Sequence, residues 1–350
     1  RAVKEDKRSL FVTLGVWAGF MPMIHTHSFL ALAPCSAGFL LYDLVRGHGR
    51  GWIVLHYAVY ATLAVLVAAP QLVNFTFYQA LGNGENASAS FLQFQFNWVN
   101  NRGGNGLRDE YIWFYVKNIG LPFLMVLFAA LERNPRHRRI LSGAAMIWVA
   151  AELVRFQPNE YDNNKLFYLS WLLCCYVAAD WCGELFRRMR GMRSRWALAA
   201  LGAVALFLSA GLTLAREAVS GYQAFGAADV AMADWIRENT DEDSVFLTGA
   251  ESHLNPVDSI AGRTIVCGPD LWLYWHGFDT SEAKWDIRRF YQDPESNLDV
   301  LGKYDVDYIT VSYTWGGEAS QYDVNADAFD ELFELVYEQD GRCVYRVPEG

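Results

Sequence analysis

The sequence has 350 residues, of which 53% are hydrophobic and 19% are charged. Its net charge of −10 hides two unequal parts: residues 1–216 hold 21 Lys and Arg against 12 Asp and Glu, whereas residues 217–350 hold 8 against 27. The apolar and aromatic content excludes a disordered chain, and the acidic second part would repel nucleic acid. We therefore expect the two parts to lie in different surroundings.

Long stretches without charge predict that the first part spans a membrane. Residues 9–42, 51–84 and 196–215 contain no Asp, Glu, Lys or Arg, and about 20 apolar residues suffice to cross the hydrocarbon core. Pro22 divides the first stretch near its middle. The sequence predicts a membrane all-α bundle of about seven transmembrane helices, at 9–24, 28–45, 52–75, 111–131, 140–156, 166–186 and 196–216.

Basic residues predict the orientation of this bundle. Strict alternation of the spans puts four segments with 15 Lys and Arg on one side: 1–8, 46–51, 132–139 and 187–195. The positive-inside rule makes that side cytoplasmic. We therefore expect a multi-pass protein of the inner cell membrane, with residues 217–350 as an extracytoplasmic domain.

The pattern of residues 217–350 predicts a small α/β domain, because helix-like and strand-like runs alternate along it. The helix-like runs are 227–239, 281–291, 296–304 and 326–332. The strand-like runs are 244–248, 264–266 and 307–312, followed by a hairpin of 335–339 and 342–347. Cys267 and Cys343 lie in this domain and form either a disulfide or two buried thiols.

A pair of histidines is the first candidate for a functional site. His25 and His27 lie at the predicted outer end of the first span. Polar side chains at membrane depth are costly and for that reason often functional. The two imidazoles could help to bind a phosphate or a divalent metal; alternatively, they hydrogen-bond neighbouring helices or lipid headgroups.

The segment FQPNEYDNNK at 156–165 is the second candidate. We expect a turn between two spans here, and its polar side chains are denser than a simple connection requires. Basic groups could hold a phosphate, while a carboxylate could act as a base or a metal ligand. The alternative is a solvated turn. The candidates are Lys165, Arg155 and Asn163 for substrate binding, and Asp162 and Glu160 for catalysis.

The third candidate lies in the second part, where histidines and aromatic residues follow the predicted strands. Such groups suit a polar crevice, and sugar binding uses the same combination of aromatic faces and directed polar groups; the alternative is packing within the domain. The candidates are His253, Asn255, Arg263 and His276.

Three stretches resemble one group of membrane enzymes: GVWAGFMPMIHTHSFLAL (15–32), FQPNEYDNNKLFY (156–168) and HLNPVDSIAGRTIVCGPDLWLYWHG (253–277). They are similar to the GT-C superfamily of polyprenyl-phosphate-sugar-dependent glycosyltransferases, which is related to protein mannosyltransferases. In that group a Trp/Tyr-Asp-Asn-x-Lys pattern precedes a late helix, and an outer α/β domain carries His-x-Asn-Pro, Ala-Gly-Arg and His-Gly. The matching positions are Tyr161, Asp162, Asn163, Lys165, His253, Asn255, Pro256, Gly262, Arg263, His276 and Gly277.

The resemblance implies transfer of a sugar from a polyprenyl phosphate to a glycan or protein acceptor on the outer face. A divalent cation, Mg²⁺ or Mn²⁺, would be an optional cofactor, although no fixed set of metal ligands stands out in the sequence. GT-C enzymes carry their catalytic carboxylate in the first outer loop, and no residue here matches it. Because the sequence starts at Arg1 without a signal peptide, we expect the C-terminal part of a longer enzyme. The alternative is a transporter or a cell-envelope assembly scaffold, which would not be an enzyme.

Overall fold

A computed structural model describes the protein at residues 7–46, 50–77, 92–100, 109–156, 160–249, 253–275, 278–314 and 316–348. The chain divides into two compact units, Arg1–Val219 and Ser220–Gly350. The described part of the first unit consists mainly of long apolar helices, and the second unit carries a five-stranded sheet.

The described part of the first unit starts with a helix that breaks near Pro22, as the sequence predicts. Helix α1 (Arg8–Phe20) leads through a 3₁₀ turn (Met21–Met23) to α2 (Thr26–Val45). Pro22 is buried in the first turn of the 3₁₀ segment, where its missing N–H removes no helical hydrogen bond. Helix α3 (Arg50–Gln71) follows and continues as a π-helix over Leu72–Phe77.

The segment predicted as a span at 111–131 does not form one continuous helix. The segment forms α4 (Tyr111–Ile119) and α5 (Leu121–Leu131), and the two helices are bent by 113°. Gly120 lies between them with φ 72°, a backbone conformation that glycine adopts without a steric penalty. Pro122 in the first turn of α5 cannot donate a hydrogen bond back to α4. The pair is therefore a broken span or a re-entrant loop.

Two further boundaries differ from the prediction. Helix α6 (Pro135–Leu153) ends before 156, because the chain turns into strand β2 (Val154–Arg155), which pairs antiparallel with β1 (Gln93–Phe94). Helix α7 (Glu160–Arg188) then begins inside the segment predicted to be a turn. Carboxylates are favourable in the first turn of a helix, so the acidic residues at 160 and 162 suit a helix start as well as a loop.

Four of the described helices are long and apolar enough to cross a membrane: Thr26–Val45, Gly51–Phe77, Asp162–Gly191 and Arg195–Val219. The last of these is α8, in which no residue is buried within the structure. The bent pair would make a fifth crossing. Helix α1 has only 13 residues, or about 20 Å, and α6 has three Arg in its first turns. Membrane spans at the positions of α1 and α6 therefore remain predictions.

The second unit alternates helices and strands, as predicted. Its helices are α9 (Ala227–Asn239), α10 (Pro256–Ser259), α11 (Asp270–Trp275), α12 (Ser281–Gln292), α13 (Asp299–Lys303), α14 (Glu318–Tyr322) and α15 (Ala326–Leu332). Its strands are β3 (Val245–Leu247), β4 (Thr264–Ile265), β5 (Tyr308–Ser312), β6 (Glu334–Gln339) and β7 (Arg342–Arg346). The sequence pattern does not predict the short helices α10, α11 and α14, which have four, six and five residues.

The sheet has the order β4-β3-β5-β7-β6. Strand β3 is parallel to both β4 and β5, while β7 is antiparallel to β5 and β6. Neighbouring residues of one strand point to opposite faces, so Phe246 packs in one buried cluster and Leu247 in the other. Cys267 and Cys343 are both buried free thiols, which is the second of the two alternatives.

Candidate functional site

Antiparallel packing brings the candidate residues of the first unit to one end of its helices. Asp43 near the end of α2 pairs with Arg139 near the start of α6, and Asn163 at the start of α7 bonds Ala151 near the end of α6. Both α2 and α7 therefore run antiparallel to α6. We call the start of α2, the end of α6, β2 and the start of α7 the His25 end. The end of α2, the start of α6 and the end of α7 form the Arg139 end.

His25 and His27 form a close pair at the start of α2. Their ring centroids are 5.3 Å apart, and the ring planes are inclined by 40°. His25 is exposed, and its Nδ1 shares a hydrogen bond of 2.8 Å with Ser28 Oγ. Because Ser28 occupies Nδ1, a ligand would bind His25 through Nε2.

Glu152 is a buried carboxylate at the His25 end that we did not propose as a site from the sequence. Its side chain is 3% exposed, and its two oxygens accept hydrogen bonds of 2.6 Å from the backbone N–H of Asn97 and from the hydroxyl of Tyr115. Trp98 Nε1 also donates to Ala151 O. These bonds attach the segment around β1 to the end of α6. The only sign of this site in the sequence was an acidic residue close to the end of an apolar run.

The polar residues at the start of α7 have different surroundings. Lys165 Nζ lies 2.7 Å from Asp162 Oδ1, and both side chains are partly exposed. Asn163 is fully buried, and its amide donates to the carbonyls of Ala151 and Val154 at 2.9 and 3.1 Å. The structure thus gives Asn163 a structural contact with the end of α6, while Lys165 and Asp162 remain accessible to a ligand.

The two remaining candidates of this segment flank the connection between α6 and α7. Arg155 lies on β2, opposite Gln93 in the ribbon, and is half-buried. Glu160 begins α7, and its side chain lies outside the described part of the structure. Arg155 was predicted on or near a helix end; its position on a strand follows from the pairing of β2 with β1.

In the second unit, the three candidates that the structure describes have different surroundings. His253 is exposed and stacks on Trp272, with ring centroids 5.5 Å apart and planes inclined by 20°. Asn255 is buried: its side chain accepts from the backbone N–H of Val257 and donates to Thr248 Oγ1. Asn255 therefore caps the short helix α10, as Asn commonly does.

Arg263, which we predicted to bind substrate, contacts backbone carbonyls of its own unit. It is 8% exposed, and its guanidinium donates to the carbonyls of Arg237, Thr240 and Ala261. The first two carbonyls belong to the end of α9, where a cation also complements the helix dipole. The remaining candidate, His276, lies outside the described residues.

Among the described residues, one group has donor atoms close enough to hold a metal ion: His137, Asp180 and Glu184. His137 Nε2 lies 2.9 Å from Asp180 Oδ2, and Glu184 is 3.6 Å from the guanidinium of Arg188. This group belongs to the Arg139 end, away from the histidine pair. His137 and Asp180 already pair between α6 and α7, and Glu184 pairs within α7, so the group fits a structural contact.

The His25 end thus offers imidazole, guanidinium and ammonium donors together with a carboxylate beside Lys165. Such a set can neutralise a phosphate and accept a proton. The chain matches none of the known protein-family models. No curated protein matches its sequence either.

Proposed function

We propose that the chain is the C-terminal part of a membrane glycosyltransferase that transfers a sugar from a polyprenyl-phosphate donor to an acceptor on the outer face. The donor would approach from the lipid. In this proposal the His25 end faces outward and holds the phosphate of the donor, and residues 217–350 form an extracytoplasmic domain that binds the acceptor.

The observation that carries the proposal is the separation of charges along the helices. The Arg139 end contains the basic segments at 132–139 and 187–195, as the cytoplasmic end of a membrane protein would. The opposite end contains His25, His27, Arg155 and the Asp162–Lys165 pair. The resemblance to GT-C enzymes supports the same assignment, because its pattern includes Asp162 and Lys165.

Lys165 would bind the phosphate by replacing one charged partner with another. The ammonium already pairs with Asp162 at 2.7 Å, so a lipid phosphate competes with this carboxylate. Released from the pair, Asp162 could accept the proton of an acceptor hydroxyl. Arg155 and the histidine pair would supply the remaining donors. Asn163 would act only by holding the start of α7 against α6.

Binding of undecaprenyl phosphate to the chain in lipid nanodiscs tests this assignment. Lys165→Ala should weaken binding by about 3- to 10-fold, because a charge-assisted hydrogen bond is lost at a partly exposed site. Asp162→Asn should bind at least as tightly as the original chain, because the competing carboxylate is removed.

Lys117→Ala is the matched control, since Lys117 also forms a partly exposed 2.7 Å pair, with Asp109. Its binding should stay unchanged. An equal loss in the Lys165 and Lys117 variants would mean that only general surface charge is measured. The proposal fails if Lys165→Ala leaves binding of undecaprenyl phosphate unchanged.

A further inference from the structure

The second unit contains a cavity of about 230 Å³ at the carboxyl ends of its two central parallel strands. Gly249, which follows β3, and Ser312, the last residue of β5, both line it. After β3 the chain continues to β4 on one side of the sheet, and after β5 it continues to β6 on the other side. This reversal is the place where open α/β sheets bind their ligands. Among the described site candidates, only Asn255 borders the cavity.

Glu318 anchors the wall between the two strand ends. Its carboxylate accepts from the backbone N–H groups of Gly249 and Ser312, at 3.2 and 2.9 Å. Burial raises the pKa of Glu318, and these backbone donors oppose the rise. A Cβ atom on Gly317 would lie 2.5 Å from Ser312 O, so only glycine allows the loop to approach β5 this closely. The wall is therefore held firmly in place.

The cavity presents hydrogen-bonding groups of both kinds. Ser312 Oγ and Thr314 Oγ1 lie 2.8 Å apart, and either hydroxyl can donate. Gln321 donates to Gly316 O, while its buried Oε1 accepts no hydrogen bond among the described residues. A buried amide oxygen without a partner is costly. A ligand hydroxyl that donates to it would remove this cost.

The charges of the cavity favour a neutral ligand. Arg342 is the one cation among the described lining residues, and Asp229 pairs with its Nε at 2.5 Å. Glu318 and the acidic surroundings of this unit repel phosphates and other anions. The volume is below the roughly 300–1,000 Å³ of pockets that hold drug-sized molecules. One small polar ring therefore suits it better than a chain.

From these observations we infer that the cavity binds a single neutral sugar ring through its hydroxyl groups. Ser312, Thr314 and Gln321 form the hydrogen bonds, and Met232 and Val257 contribute the apolar wall. The role of this sugar as the acceptor, or the end of an acceptor glycan, rests on the proposed function. Sugar binding itself does not depend on that function.

The test is saturation-transfer NMR and titration of the full chain in nanodiscs with the methyl glycosides of glucose, mannose, galactose and N-acetylglucosamine. At least one of the four should bind saturably. Gln321→Met, which keeps the size of the side chain but removes its amide, should weaken binding by about 2- to 10-fold. Gln339→Met is the matched control on the exposed strand β6 and should bind normally.

Glucosamine and glucose 6-phosphate form the charged arms of the same titration. Tighter binding of either one than of every neutral glycoside would overturn the assignment of a neutral ligand. The absence of saturable binding, or an equal loss in both glutamine variants, would overturn the site.

Hydrogen exchange over β5 and α14 in each variant shows whether the cavity wall is intact, and Ser312→Ala provides a second variant if Gln321→Met disturbs it. Binding of undecaprenyl phosphate, measured on the same samples, fails or succeeds independently and so separates this inference from the proposed function.

Discussion

Asp43 is a buried carboxylate of the helical unit whose charge is paired, and its contact connects helices. Asp43 is 7% exposed and accepts two hydrogen bonds of 2.9 Å from the guanidinium of Arg139. The hydroxyl of Tyr57 donates to Asp43 and accepts from Arg139. Three helices, α2, α3 and α6, therefore meet at one ionic contact. A charge in such a place is tolerated only because its partners satisfy it.

Removing one partner of this contact should destabilise the chain strongly. We expect Asp43→Ala to lower the stability by about 3–5 kcal/mol, since Arg139 would remain partly buried without its carboxylate. Tyr57→Phe should cost only about 1 kcal/mol, because a single neutral hydroxyl is lost. Thermal unfolding in detergent measures both. Asp234→Ala, which breaks the exposed pair with Arg237, is the control and should change little. If Asp43→Ala changed the stability as little as Asp234→Ala does, the stabilising role of the ionic contact at Asp43 would be contradicted.

A second buried carboxylate predicts how the α/β unit responds to acid. Burial alone would raise the pKa of Asp286, but hydrogen bonds from Lys303, Arg289 and Tyr304 outweigh it and lower the pKa below its ordinary 3.8. A carboxylate whose pKa is lower in the folded state than in the unfolded state stabilises the fold at pH values above its unfolded pKa. This stabilisation disappears as the pH falls below about 4.

Asp286→Asn should therefore lower the unfolding midpoint of this unit by about 3–8 °C near neutral pH. The difference from the original chain should shrink as the pH falls below about 4, because protonation removes the same charge there. Scanning calorimetry of the full chain at several pH values measures this. A difference that stays constant with pH would show that Asp286 contributes through packing alone.

At the scale of the elements, glycines set how closely the helices pack. A Cβ on Gly38 of α2 would collide with Ser142 O and lie 2.8 Å from Gly143 Cα of α6, and Ser142 Oγ donates to Gly38 O. On α1, a Cβ on Gly19 would collide with the side chain of Val67. Small residues allow membrane helices to approach until their backbones touch. Helix α8 is different, because no described atom of another segment lies within 4 Å of a methyl group added to its glycines.

This contrast gives a matched pair of substitutions. Gly38→Ala should destabilise the helical unit by about 1–3 kcal/mol, because the methyl group has no space against the backbone of α6. Gly202→Ala on α8 should be neutral or stabilising by up to about 1 kcal/mol, because alanine has the higher helix propensity. Thermal unfolding in detergent distinguishes the two. Similar midpoints for both variants would show that α2 and α6 can separate without cost.

At the scale of the whole molecule, charge distinguishes the two units. The described basic residues at 132–139 and 187–195 lie at the Arg139 end of the helices. The guanidinium of Arg195 stacks 5.2 Å from the ring of Phe186, so α8 also starts at this end. If that end is cytoplasmic, one crossing by α8 takes the chain to the outer side before the acidic unit begins.

We therefore expect residues 217–350 to be extracytoplasmic. An alkaline phosphatase fusion after residue 220 should be active, and a green fluorescent protein fusion there should be dark, because each reporter works on one side of the inner membrane only. Fusions after residue 190 serve as the control and should give the reverse pattern. A cytoplasmic result after residue 220 would remove the basis for placing the His25 end on the outer face.

From the amino-acid pattern alone we could predict the apolar helices, the break near Pro22, the charge asymmetry and most elements of the α/β unit. These features depend on residues that are close along the chain, so hydrophobic repeats and local breakers suffice to predict them. The bend at Gly120 also had a local signal, a glycine and a proline, but the continuous apolar run around them favoured a single span.

The contacts of the polar residues, by contrast, depend on the tertiary structure. Arg263 and Asn163 belong to patterns that predicted substrate binding, yet each bonds backbone carbonyls at the end of a helix that lies elsewhere in the chain. Glu152 and Gln321 acquired their surroundings in the same way. A polar side chain has the same sequence signature whether it caps a helix or faces a ligand. The partners that distinguish the two roles come from distant segments, and burial makes those partners obligatory.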